Sequence, residues 1–304
     1  NLPIIIGVSV CGGAVIIIAV VVIVVVVVLT KRKKKRKGMN KIELYNTGMF
    51  KTMSDTRTAV AVKMDGKDTV LQLLEEVGHG SYATVWKAVD GESKKEYAVK
   101  MIDGRKSTGA TEAQKEAMMM EQLDTQFVVA VFGCGFTQNT MAIAMEFFPL
   151  GSLQNVLQQD KLPSNARVPM LLDIAKAMAY LHTNGIIHRD LKPGNVLVCS
   201  IDPNLHPMSK ISDFGEARTV ESMEASMTMT SGVGTPFYMA PEMATGTKHY
   251  TGAVDVFSFG IMAAQVMVGR LVYDSSDAFE TEFAFVDAVC QGLRPRVSGC
   301  SAKM

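Results

Sequence analysis

Residues 187–198 read Ile-His-Arg-Asp-Leu-Lys-Pro-Gly-Asn-Val-Leu-Val, and the rest of the chain takes its meaning from them. Asp190 is followed by Lys192 two positions on and by Asn195 five positions on, between apolar flanks. That spacing suits phosphoryl transfer. A carboxylate orients a hydroxyl and accepts its proton, an ammonium balances charge on the moving phosphate, and an amide oxygen holds Mg²⁺. Val196-Leu197-Val198 then reads as a short buried strand.

The stretch His188–Val196 resembles the catalytic loop of the eukaryotic protein kinase superfamily. Downstream, Lys210-Ile-Ser-Asp-Phe-Gly follows 23 residues after Asp190, counted to Asp213. The resemblance makes Asp213 a ligand, with Asn195, of the Mg²⁺ that bridges the ATP phosphates. The loop between Val198 and Lys210 is a few residues longer than is usual in that family. From Glu216 to Met239 runs an activation segment with Ser226, Thr228, Thr230 and Ser231. A phosphate there would pair with Arg189, although these are also ordinary loop residues. Ala240-Pro241-Glu242 closes the segment. Lys192 and Thr235 together resemble the serine/threonine branch. Asp255, opening a helical stretch, would pin the catalytic-loop backbone or simply cap its own helix. The chain stops at Met304, before the last two helices expected of the fold, and truncation at both ends is expected.

Upstream, 167–183 is helical, with Met170, Leu171, Ile174, Ala177, Met178 and Leu181 on one face. Ser152 is placed to cap a helix opening at Leu153. Two strands, 128–136 and 140–148, lead to Met145-Glu146-Phe147, which resembles the hinge against the adenine edge, with Met145 as gatekeeper. Lys100 sits in the apolar strand 97–102, and the resemblance has it grip the α- and β-phosphates. Its counter-charge is assigned to Glu116, which opens a helical stretch; Glu121 falls off the stripe formed by Met120 and Leu123. Gly78-His79-Gly80-Ser81 reads as a strand–turn–strand loop, which the resemblance would place over the phosphates, with Ala83 where the third glycine usually stands. Val77 and Val85 are expected to lie against the adenine, and Ala98 and Leu197 are expected to contact the nucleotide as well.

Hydrophobic residues make up 48% of the 304, enough to prompt a search for a membrane segment. Ile4 to Leu29 is rich in Ile and Val and holds no charged side chain, and 26 residues as helix span about 39 Å, more than a bilayer core of about 30 Å. Residues 31–37 carry seven positive charges and no acid. A signal peptide would place its charges before the apolar run, so a stop-transfer signal is the better reading, with the later residues cytoplasmic. Small residues Gly7, Cys11, Gly12 and Gly13 would suit a helix–helix seam and hence a homodimer, and the basic run would suit anionic lipids. Removing those seven charges from 31 Lys and Arg leaves 24 against 30 acidic residues, a net of −6. Nucleic acid is not an expected partner. Five scattered cysteines form neither a disulfide framework nor a metal set.

The expected organisation is therefore a transmembrane helix (1–30), a basic stop and juxtamembrane linker (31–68), and a bilobal α+β kinase domain (69–304). Its small lobe is a five-stranded sheet, about 69–145. Its larger helical lobe, about 150–304, is incomplete. The implied activity is transfer of the ATP γ-phosphate to serine and threonine hydroxyls of proteins, with Mg²⁺. The arrangement resembles receptor-type, tyrosine-kinase-like serine/threonine kinases of amoeboid protists. A pseudokinase scaffold that binds ATP without turnover is the rival reading.

Overall fold

The computed structural model describes residues 59–79, 83–103, 117, 119–120, 122–136, 140–219, 236–245, 251–273, 279 and 281–295. The small lobe starts at an Asp-Gly turn. Asp65 and Gly66 take φ of 48° and 77°, the left-handed pair that suits a two-residue hairpin. They join β1 (Ala59–Met64) to antiparallel β2 (Lys67–His79). Next come β3 (Ala83–Asp90), β4 (Glu96–Asp103), β5 (Val131–Phe136) and β6 (Thr140–Glu146). The order is β1-β2-β3-β4-β6-β5, and β1 also pairs with β5, which closes the sheet into a barrel.

This corrects two expectations. Five strands are expected in the small lobe, and six are present among the described residues. The sixth, β1, lies inside the segment read as linker. Its alternation sends Val60 and Val62 into a core with Leu71, Val99 and Ala144. Closure depends on two glycines in β5. A Cβ on Gly133 would sit 1.9 Å from the Lys63 carbonyl oxygen, and one on Gly135 2.0 Å from that of Ala61. Only a bare backbone lets β1 approach so closely.

In the large lobe, Ser152 caps α1 (Leu153–Gln158), its side chain accepting the Asn155 N–H in a capping box. The helix α2 (Ser164–Thr183) buries all six residues of its expected apolar face. Two short antiparallel pairs flank the loop that follows it: β7 (Ile186–Ile187) with β10 (Arg218–Thr219), and β8 (Val196–Val198) with β9 (Ser209–Ile211). The short α3 (Pro241–Ala244) precedes the central α4 (Ala253–Val268), which stops at Gly269 with φ 83°. The last described helix is α5 (Glu282–Cys290). Arg167 on α2 donates to the Met267 carbonyl at 2.7 Å, tying α2 to α4. Met170, Leu181, Ile211, Phe214 and Met262 share the core that runs beneath residues 187–198.

The expected membrane span and basic run lie outside the described residues. Among the described residues, no helix is long and apolar enough to cross a membrane.

Candidate active site

The loop between β7 and β8 is shaped by a carboxylate from another element. Asp255, in the first turn of α4, is 1% exposed. Its Oδ1 accepts the Arg189 N–H at 2.8 Å, and its Oδ2 accepts the His188 N–H at 2.9 Å and His182 Nε2 at 2.7 Å. Burial opposes ionisation of Asp255, but the His182 hydrogen bond and charge, with His188, outweigh it and hold the carboxyl below its usual range. Gly252 makes room for this contact, since a Cβ there would lie 3.0 Å from the His182 ring. With its amide so held, Arg189 adopts a left-handed φ of 69°. That is a strained state for a residue with a Cβ, and surrounding structure must hold it.

Asp190 emerges from this scaffold. Its Oδ2 accepts Lys192 Nζ at 2.6 Å and Asn195 Nδ2 at 2.9 Å, while Asn195 Nδ2 also reaches the Asp190 carbonyl at 2.8 Å. The Asp190 side chain is 11% exposed. Asp190, Lys192 and Asn195 thus form one cluster. Two donors on one carboxylate oxygen fix the rotamer and aim the group.

Asp213 follows β9 and also has a left-handed φ, 59°. Lys100, from β4 of the other lobe, donates to its Oδ1 at 3.0 Å. Desolvation works against its charge, yet the Lys100 ammonium, with His188 and Lys192 further off, keeps the Asp213 carboxyl below its ordinary range. The side chain still faces the cleft, 47% exposed. His188 braces both loops: its Nδ1 accepts the Asp190 N–H at 3.3 Å, and its Nε2–H donates to the Ser212 carbonyl at 3.1 Å. Its ring lies 5.2 Å from that of Phe214. The expectations for Asp190 and Asp213 concern their own chemistry; nothing in the local pattern announces this brace, because its partner is 24 residues away.

The remaining expected residues divide. Gly78 pairs with Val85 across β2 and β3, Val85 with Lys100, and Ala98 with Met145, so the proposed adenine and phosphate contacts share one patch of sheet. Val77 is exposed. His79 turns outward to Glu76 at 3.0 Å, so its imidazole does not reach into the cleft. Glu146 sends its carboxylate to Lys210, and Phe147 lies 4.9 Å beneath Lys87 Nζ. Leu197 is half-buried on β8. Gly80, Ser81 and Glu116 lie outside the described residues, as do Ser226, Thr228, Thr230, Ser231 and Thr235. Arg189, expected to meet a phosphate, donates here to the Glu216 carbonyl at 2.5 Å and to its carboxylate at 3.4 Å.

A pair of hard oxygen donors, the Asp213 carboxylate and the Asn195 amide oxygen, fits a divalent cation that takes its other ligands from phosphates and water. The Asn195 nitrogen is committed to Asp190, which leaves its oxygen as the ligand atom.

Two lobes joined at Glu146, a carboxylate held by a lysine and an asparagine, and a lysine reaching from the sheet to a second aspartate define the architecture of the kinase class. The protein kinase domain family matches residues 71–295. The chain belongs to that family. It is 35% identical over 216 residues to the probable serine/threonine-protein kinase gdt4 of Dictyostelium discoideum, covering 70% of this chain and 13% of that protein. Similarity to the serine/threonine-protein kinase pkn2 of Myxococcus xanthus is 33% over 216 residues, 69% of this chain and 25% of the relative. The serine/threonine-protein kinase hippo of Drosophila melanogaster is 32% identical over 208 residues, 68% of this chain and 30% of the relative. The chain therefore spans less than a third of each of these relatives.

Proposed function

We propose that this chain is a membrane-anchored protein kinase that transfers the γ-phosphate of ATP to serine and threonine hydroxyls, with its catalytic domain on the cytoplasmic side. The observation that carries the reading is the cluster of Asp190, Lys192 and Asn195, with Asp213 of the same lobe paired to Lys100 of the small lobe. The names of the relatives support serine and threonine as acceptors, as do Lys192 and Thr235 in the sequence. The apolar run 4–29 and the basic run 31–37 support the anchor and its orientation. A span joined to a kinase supports a signalling receptor.

In the proposed reaction, Asp190 orients the acceptor hydroxyl and takes its proton. The hydroxyl oxygen bonds to the γ-phosphorus as the bond from that phosphorus to the β–γ bridging oxygen breaks, and ADP leaves. Lys192, 2.6 Å from Asp190, stands where it can balance charge on the moving group. Lys100 is placed to hold the α- and β-phosphates, exchanging Asp213 for them in part. A divalent cation held by Asn195 and Asp213 supplies further charge neutralisation on the phosphates.

The test is intact-mass spectrometry of the chain after incubation with ATP and Mg²⁺, beside Asp190→Asn. Wild type should gain about 80 Da per phosphate on serine or threonine, and the variant should lose at least about 100-fold in rate while still binding ATP. Equal mass gain in both would sink the assignment. An ATP-dependent thermal shift with no gain in either would favour the scaffold reading, which the alanine at position 83 of the glycine loop also supports.

A further inference from the structure

One ion pair near the cleft joins the two lobes without taking part in the chemistry above. Lys210, the middle residue of β9, places Nζ 2.6 Å from Oε2 of Glu146, the last residue of β6. The two side chains are 14% and 31% exposed, so water screens the pair only partly. The ammonium also lies 5.9 Å from the centre of the Phe148 ring, two residues further along the hinge.

The position of this pair gives it meaning. Lys210 is the cross-strand partner of Leu197 on the β8–β9 hairpin, and cross-strand partners project from the same face. Leu197 is expected to contact the nucleotide and is assigned as the floor of its slot, and Glu146 begins the expected edge. A charged contact of 2.6 Å therefore ties edge to floor. Backbone contacts hold the same frame at either end. The Glu146 N–H donates to the Ala130 carbonyl at 3.0 Å, and the Val198 N–H donates to the Gly151 carbonyl at 2.9 Å. Between those two points, Glu146 to Gly151 must bridge the lobes, and the Lys210 ammonium gives the start of that bridge a fixed side-chain anchor.

We propose that Lys210 is a positioning residue for the nucleotide: by holding Glu146, it sets the separation between the hinge edge and the Leu197 floor. This rests on the kinase reading above. Lys210 pairs with Glu146 and not with the residues assigned to the phosphates and the acceptor, so its loss should act on the slot equally in ground state and transition state. Such an effect raises KM for ATP and leaves kcat nearly alone. A lysine that merely stabilised the fold would lower the melting temperature and leave KM unchanged.

The experiment uses the full chain in detergent micelles, with initial rates over a range of ATP concentrations for wild type, Lys210→Met, Lys210→Arg, Glu146→Gln, Glu146→Lys and the exchanged pair Glu146→Lys with Lys210→Glu. Lys210→Met and Glu146→Gln should each raise KM for ATP about three- to tenfold with kcat within about twofold. Lys210→Arg should stay near wild type, and the exchanged pair should recover most of what Glu146→Lys loses. An unchanged KM in both Lys210→Met and Glu146→Gln overturns the inference, as does a fall in kcat that matches the fall in kcat/KM. If Lys210→Met is unfolded by circular dichroism, Glu146→Gln and the exchanged pair decide alone. A wild type that transfers no phosphate defeats the kinase reading instead. The inference then stands or falls on calorimetric ADP affinity, weakened or unchanged in the same variants.

Discussion

Asp255 shows how one residue turns a loop into a site. It takes three N–H groups from His182, His188 and Arg189 at 2.7–2.9 Å, inside protein that excludes water almost completely. Removing the carboxylate leaves those donors buried without an acceptor and releases the left-handed Arg189 backbone that presents Asp190. Asp255→Ala should therefore cost about 3–5 kcal/mol in stability, read by thermal or urea melting. The pH dependence has a definite sign. The folded carboxyl titrates below its unfolded value, near 4. Its contribution is complete above pH 4 and is lost as pH falls through the folded value. The stability gap between wild type and Asp255→Ala should be widest at neutral pH and shrink below about pH 4. A gap that grows in acid would contradict the assignment. At this scale the sequence is legible where a residue acts through its own chemistry or, as for Asp255, where the family resemblance names its contact. Asp190, Lys192, Asn195 and Asp213 could be named from spacing and family resemblance. His188, His182 and Lys210 could not, because each works through a partner 24 to 73 residues away.

At the scale of elements, the departures concentrate in β1. Its Ala-Val-Ala-Val alternation and the Asp65-Gly66 turn are ordinary hairpin signals, overlooked because the polar residues before them blur into the same stretch. No local pattern, however, says that β1 also meets β5. That contact exists because Gly133 and Gly135 leave bare backbone opposite Lys63 and Ala61. Substituting either glycine forces a Cβ onto a carbonyl oxygen that cannot swing aside. Gly133→Ala should lower stability by about 1–3 kcal/mol. It should also raise hydrogen exchange at the amides of Ala59–Met64 far more than along Ala253–Val268. Equal protection of β1 in variant and wild type would mean that barrel closure does not depend on the glycine. The helices were easier to read. Ser152 and the apolar face of α2 carry signals within a few residues, and local signals of that kind survive folding unchanged.

For the molecule as a whole, the proposed anchor and the kinase domain meet at β1, whose first residue follows the segment leading from the basic run. The full chain should float with liposomes through a density gradient and resist extraction by high salt. The chain from Gly38 onward should stay at the bottom, whatever the lipid charge. Flotation of the shorter chain in the absence of anionic lipid would place membrane affinity elsewhere. What the sequence by itself determined was an inventory: an apolar run long enough for a bilayer, the helices and most of the strands, and the residues of the proposed site. The run and the elements follow from composition, period and spacing, and the site residues from spacing together with the family resemblance, all of which operate over a few residues at a time. Only the tertiary structure decided that the small lobe closes into a barrel, that Lys100 meets Asp213, and that Lys210 holds the hinge. Each of those contacts joins residues separated by 64 or more positions or by a whole sheet. Such a pairing exists only once the cores of both lobes have packed and brought the partners within hydrogen-bonding reach.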